Sequence, residues 1–327
     1  MRNCFRRIAL AWLLILAMAL GGCQPAPTAA NTDATTVLGF SQLGSESAWR
    51  TGNTSSIRQA AADAGISLMF QDANQKQENQ ISALRSFIAY QVDVIAFAPI
   101  VEDGWENVLQ EAHKAGIPVI LVDRMVDVAD ENLYAAYVGA DFYAEGVRAG
   151  EFLLRKANDL GRERLNVVEI SGTEDATPTL QRHQGFHNIV DGDERIVTLT
   201  TVSGDFLRSK GKERMEELLA AYGADIDVLY SHNDAMTLGA IDAMEEAGIV
   251  PGKDVVVITV DGEQAAIDLL KAGKINCVVE CTPMLGPLVM ELTARLIAGE
   301  TIARETHPQE QVFTEYDDLS GLAPRGY

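Results

Sequence analysis

From Val37 onward the chain alternates short, largely apolar runs with longer stretches whose apolar residues recur at helical spacing. The runs are Val37–Phe40, Ile66–Phe70, Val92–Phe97 and Val119–Val122, then a second series at Leu165–Ile170, Val197–Leu199, Val228–Tyr230, Val255–Ile258 and Ile275–Cys281. Runs this short and this apolar predict strands buried on both faces, as in parallel sheets. Between them, Ile57–Ala64 places Ile57, Ala60, Ala61 and Ala64 at helical intervals, and Gln77–Ala89 puts Ile81, Leu84, Phe87 and Ile88 on one face. Further helices are predicted at Thr179–Ile189, Lys212–Tyr222 and Met236–Ala247. Repeated strand–helix units predict a doubly wound α/β fold with parallel sheets. About ten strands are too many for one comfortable sheet, so two sheets in two lobes are expected. No short repeat is present, which excludes a solenoid.

The first apolar run opens into a polar loop holding Glu46, Ser47, Ala48, Trp49 and Arg50. In open α/β sheets ligands bind beyond the carboxyl ends of the strands. The loop is therefore either a ligand contact or a surface loop in which Ser47 caps a helix and Trp49 packs on it. Other polar residues share its position. Asp123 and Arg124 follow Val122, Asp205 and Phe206 follow Ser203-Gly204, Asn233 follows the Tyr230 run, and Asp261 follows Val260. Arg182 lies early in the helix after the Ile170 strand. Each alone reads as a cap, a turn or an ion pair; their common place at strand ends points to a ligand. Carboxylates and amides pair with vicinal hydroxyls, arginine forks onto oxygens, and an aromatic face covers C–H edges, a combination suited to a small polyhydroxylated molecule.

The N-terminus carries Arg2, Arg6 and Arg7 before an uncharged apolar run, Ile8–Leu20, the pattern of a secretory signal. Leu20-Gly21-Gly22-Cys23 resembles the lipobox of bacterial lipoproteins, which implies cleavage before Cys23 and lipidation of its thiol; the alternative is a plain signal with an incidental cysteine. Residues 23–35, with Pro25 and Pro27 among small polar residues, read as a flexible tether. Loss of residues 1–22, which carry three arginines and no acid, leaves 23 basic against 47 acidic side chains. Such a surface repels phosphate backbones and argues against nucleic acid as a partner. Cys277 and Cys281 lie in one strand-like run, roughly 13 Å apart, too far for a mutual disulfide. Two cysteines alone also make a poor metal site. Gly-x-Ser-x-Gly, His-Glu-x-x-His and phosphate-loop motifs are absent.

From Val37 to Tyr327 the chain resembles the type I periplasmic sugar-binding proteins of the ribose-binding kind, and among them the galactofuranose-binding members that serve bacterial ABC importers. The resemblance is carried by Gly39–Arg50, Gln75–Gln80, Leu121–Arg124, Ser203–Gly211, His232–Asp234 and the terminal Gly326-Tyr327. It implies two lobes joined by three crossings, the first of residues 36–139 and 283–311, the second of 140–281 and 312–327. It implies that Glu46 to Arg50, Asp123 and Arg124 contact the sugar from the first lobe, with Trp49 stacking on it. Arg182, Asn233 and Asp261, with Phe206 as a wall, would close from the second. Ribose binders place a glutamine two residues before the proline that follows the last cleft strand; here Cys281 stands there, before Pro283. Glu280 should point the other way.

The expected function is a monomeric, exported and lipid-anchored solute-binding protein, in the periplasm or on the outer face of the cell membrane. It captures a furanose such as galactofuranose and delivers it to an ABC permease, with no cofactor, metal or catalysis. A sensory module of the same fold, feeding a chemoreceptor or histidine kinase, is the alternative. A repressor of the same fold would carry a helix-turn-helix where this chain carries an export signal.

Overall fold

The computed structural model describes residues 35–327; the signal, Cys23 and the tether up to residue 34 lie outside the described residues. The first sheet is built from β1 (Val37–Gln42), β2 (Ser67–Asp72), β3 (Val94–Phe97), β4 (Val119–Val122), β5 (Ala136–Val138) and β11 (Glu305–Thr306). Its order is β11-β5-β4-β3-β1-β2, parallel throughout. The second uses β6 (Leu165–Ser171), β7 (Ile196–Ser203), β8 (Val228–Ser231), β9 (Val256–Asp261), β10 (Cys277–Glu280) and β12 (Val312–Thr314). Its order is β12-β10-β9-β8-β6-β7, parallel except for the antiparallel pair β10–β12. The chain passes between sheets after β5, after β10 and between β11 and β12.

The helices are α1 (Ala48–Asp63), α2 (Gln77–Tyr90), α3 (Glu106–Lys114), α4 (Phe142–Leu160), α5 (Thr177–Val190), α6 (Arg208–Tyr222), α7 (Asp234–Glu246), α8 (Gln264–Lys271) and α9 (Gly286–Ile297). They cover both faces of the sheets, which is why the strands are apolar on both sides. In β3, Val94 and Ala96 pack with Leu38, Phe40 and Ile57, while Ile95 and Phe97 face Phe87, Leu109 and Trp105. No helix among the described residues is long and apolar enough to cross a membrane.

Four helices, α1, α5, α6 and α7, begin earlier than their apolar spacing predicts, and two of them show why. In α1 the first turns are Ala-Trp-Arg-Thr-Gly-Asn, without an apolar stripe, yet Ser47 caps them by accepting the Arg50 N–H at 3.1 Å. In α5 Pro178 occupies the first turn, where its missing N–H costs nothing. In each sheet the first strand of the series lies between the second and the third. That reversal creates a crevice at the carboxyl ends of β1 and β3, and another at β6 and β8.

Candidate functional site

The two crevices face each other across one small, partly open cavity of about 30 Å³, well below the roughly 300–1,000 Å³ typical of small-molecule sites. From the first lobe it is lined by Glu46, Ser47, Trp49, Arg50, Asp123 and Arg124, and from the second by Arg182, Phe206, Asn233 and Asp261. Of the residues expected from sequence, Ala48 does not line it. One helical step from Trp49 turns Ala48 outward, into a surface groove with Thr51, Gly52 and Tyr327. Cys281 lines the cavity, as do Phe142 and Pro178, which the sequence pattern did not mark. Both stand at helix starts beyond short or irregular strand ends; Asp141, which caps α4 by accepting the Ala144 N–H, is the signal that could have exposed Phe142.

Charge dominates the lining. Arg50 donates to Asp123 at 2.7 Å and to Glu46 at 3.1 Å. Burial opposes its charge, yet the two carboxylates raise its pKa above the ordinary arginine value. Arg124 donates to the Ile100 carbonyl at 2.8 Å and reaches Asp123 only at 3.8 Å. Burial and the neighbouring Arg50 bring its pKa down to about 10, so it remains a cation. Arg182 is held by Glu145 at 2.7 Å and the His232 carbonyl at 2.6 Å, with Asp261 at 4.0 Å. Burial, then repulsion from Asp234, push Asp261 well above the usual carboxylate range. Asp234 accepts from Thr259, Gly262 and Glu263 and Asp261 has no comparable set of donors, so Asp261 is the member that holds a proton. A protonated Asp261 can donate as well as accept. Glu46 Oε2, Arg50 Nη1 and Arg124 Nε are buried without a protein partner, so the lining retains both donors and acceptors.

Trp49 both lines the cavity and packs into the fold, though against the second sheet and not on its own helix. It lines the cavity, and its indole N–H donates to the Cys281 carbonyl at 2.6 Å while its backbone N–H donates to Glu263 at 3.0 Å. The ring packs among apolar side chains of the second sheet, so a first-lobe helix is anchored in the second lobe. At the rim the Met125 N–H donates to Thr177 and the Glu102 N–H to the Asp175 carbonyl, both at 3.0 Å, and Arg124 lies 5.1 Å from the Phe206 ring centre. Asn233 caps α7 through its side-chain oxygen and donates to the Phe206 carbonyl at 3.3 Å. Glu280 faces away from the cavity, paired with Arg325.

Backbone strain gathers here. Asp123, Phe206 and Asp261 have φ of 67°, 60° and 125°, unusual for residues other than glycine. At Asp123 the Arg124 N–H donates to the Val122 carbonyl at 2.7 Å, closing the rare γ-turn with positive φ. The Tyr137 hydroxyl donates to the Asp123 carbonyl at 2.8 Å and fixes the turn. Such strain marks sites where surrounding structure overdetermines the chain.

Two α/β lobes of ribose-binding type, closed over a polar cavity between strand ends, define an extracytoplasmic solute receptor. Residues 38–301 match the model of the periplasmic binding protein domain, and the chain belongs to that family. It is 45% identical to the galactofuranose-binding protein YtfQ of Escherichia coli (strain K12), over 76% of this chain and 79% of that protein. A Mycobacterium smegmatis protein solved in complex with β-D-fucofuranose aligns with a TM-score of 0.83 and 43% identity, covering 86% of this chain and 92% of that one. The periplasmic component of the arabinose ABC transporter of Shewanella sp. ANA-3, bound to α- and β-L-arabinofuranose, aligns at 0.82 with 40% identity, covering 86% and 92%. These relatives are sugar-binding and transport components, not enzymes.

Proposed function

We propose that the protein is the solute receptor of an ABC sugar importer and binds a furanose, galactofuranose or a close relative, in the cavity between its lobes. The observation that carries this reading is the convergence of Arg50, Arg124 and Arg182 with Asp123 and Asp261 on one small cavity, beside buried donors and acceptors that have no protein partner. A monosaccharide offers each of these a hydroxyl or ring oxygen, and Trp49, Phe142 and Phe206 supply apolar walls for its C–H faces. The furanoses bound by the similar proteins support the ring size. The lobes are taken as 36–139 with 283–311 and 140–281 with 312–327, so that the three crossings form the hinge on which the cleft opens. The receptor works as a monomer tethered through a lipid on Cys23. A calorimetric screen of pentoses, hexoses and galactofuranosides tests the reading. It expects saturable one-to-one binding of a furanose and much weaker heats from pyranosides; equal affinity for both ring forms would remove the furanose assignment.

A further inference from the structure

Histidine is scarce, five residues in 327, yet His183, His187 and His232 all converge on the carboxylate of Glu169. Glu169 is fully buried in β6, outside the sugar cavity. His183 and His187, four residues apart on α5, share a face of that helix, with ring centres 4.2 Å apart. His183 Nδ1 lies 2.9 Å and His187 Nε2 3.2 Å from the same Glu169 oxygen. One donor atom from each of the three residues lies within 4.8 Å of the others. A tetrahedral zinc ion with bonds of about 2.0–2.1 Å holds neighbouring donors about 3.3 Å apart, so only slight movement would be needed to admit one.

We propose that Glu169, His183 and His187 bind a divalent transition-metal ion, of which zinc is the probe. Two imidazoles and one carboxylate favour zinc, copper or nickel over calcium and magnesium, which prefer all-oxygen sites. The outer contacts fit a metal site as well. His187 Nδ1 lies 2.8 Å from Asp191, the carboxylate–histidine arrangement that orients metal-ligating imidazoles. The other Glu169 oxygen lies 2.7 Å from His232 Nε2, and the Thr201 hydroxyl donates to the first at 2.7 Å, so the carboxylate is held from behind. The His183 side chain is 46% exposed and gives the ion a way in from solvent, with a coordination position left for water. The ion would pin α5 to β6. It would thereby steady the helix that carries Arg182, whose guanidinium donates to the His232 carbonyl.

The alternative is that the histidines only balance the buried Glu169 charge. The mature chain, free of any affinity tag and stripped with a chelator, separates the two when titrated with zinc chloride by calorimetry and melted with and without zinc. The expected result is one zinc per chain and a raised melting temperature, with no such response to calcium or magnesium. His183→Gln and His187→Gln should weaken zinc binding by about a hundredfold or more, and Asp191→Asn by about ten- to a hundredfold, as outer-shell partners do. Because His183 is nearly half exposed, His183→Gln should fold normally and keep its sugar affinity. No saturable zinc binding, or unchanged zinc affinity in His183→Gln, overturns the proposal. So does zinc binding that survives Glu169→Gln undiminished, since that would be a bare helical histidine pair.

Discussion

Arg124 and Arg182 face one cavity but are held differently, and removing each should have a different consequence. Arg182 neutralises the fully buried Glu145 at 2.7 Å. Arg182→Ala leaves that carboxylate uncompensated and should cost about 3–5 kcal/mol of stability, measured by denaturant unfolding, as well as sugar affinity. Arg124 has no carboxylate within direct reach, and its Nε has no protein partner. Arg124→Ala should therefore lose about 1.5–3 kcal/mol of binding, as for a hydrogen bond from a charged donor, with little change in melting temperature. Unchanged affinity would make it a structural residue. Glu310 offers a pH test, since burial and then Glu145 push its pKa up to about 9. The folded state thus holds a proton that an unfolded glutamate loses near pH 4.3. Its contribution to stability is full below about pH 4 and is lost as pH rises toward 9. Glu310→Gln keeps an oxygen for the Thr282 N–H and should melt with a flatter dependence between pH 5 and 9; parallel curves would place an ionised carboxylate there. Most of the cavity lining was legible at this scale because Asp123, Arg124 and Asp261 follow apolar runs directly and Asn233 follows one within three residues. Phe142 was not, because its strand is three residues long and an aromatic beside a helix cap reads as core.

Among the elements, α4 and α5 position the second-lobe half of the cavity, carrying Phe142, Pro178 and Arg182. They touch through glycines. A Cβ on Gly185 would sit 2.1 Å from the Tyr143 carbonyl oxygen, and one on Gly146 2.2 Å from that of Arg182. Gly185→Ala should force the helices apart, costing roughly 1–3 kcal/mol of stability and displacing Arg182, so that sugar affinity falls too. Full affinity in a stable Gly185→Ala variant would show that the crossing does not set Arg182. The same glycines explain why α4 is hard to read in sequence: Gly146 and Gly150 count against a helix by propensity but are needed for close approach. β11 and β12 were illegible for another reason, since two or three residues in a polar C-terminal stretch carry no apolar run. Most of the buried parallel strands, by contrast, were plain from their largely apolar runs, although the three-residue β5 was missed.

For the whole molecule, membership of the periplasmic binding protein family implies work outside the cytoplasm. Cys23→Ser should release it from membranes in fractionation, because Leu20-Gly21-Gly22-Cys23 is the only processing signal in the sequence; a membrane-bound mutant would remove the lipobox reading. The two-lobed plan was legible from the number of strands, whereas the contacts that close the cleft come from residues far apart in sequence. The central claim is that the lobes close on a furanose with Trp49 at the seam. Trp105, the other indole among the described residues, is fully buried against Phe97 in the first-lobe core and does not line the cavity. A Trp105→Phe variant produced from Cys23 onward, without Trp12, therefore reports on Trp49 alone. Titrating it with galactofuranose or arabinofuranose should give a saturable change in fluorescence whose midpoint moves to about ten- to a hundredfold higher sugar concentration when Arg124→Ala is added. A flat signal at concentrations that saturate binding in calorimetry, or a change indifferent to Arg124, would contradict the account.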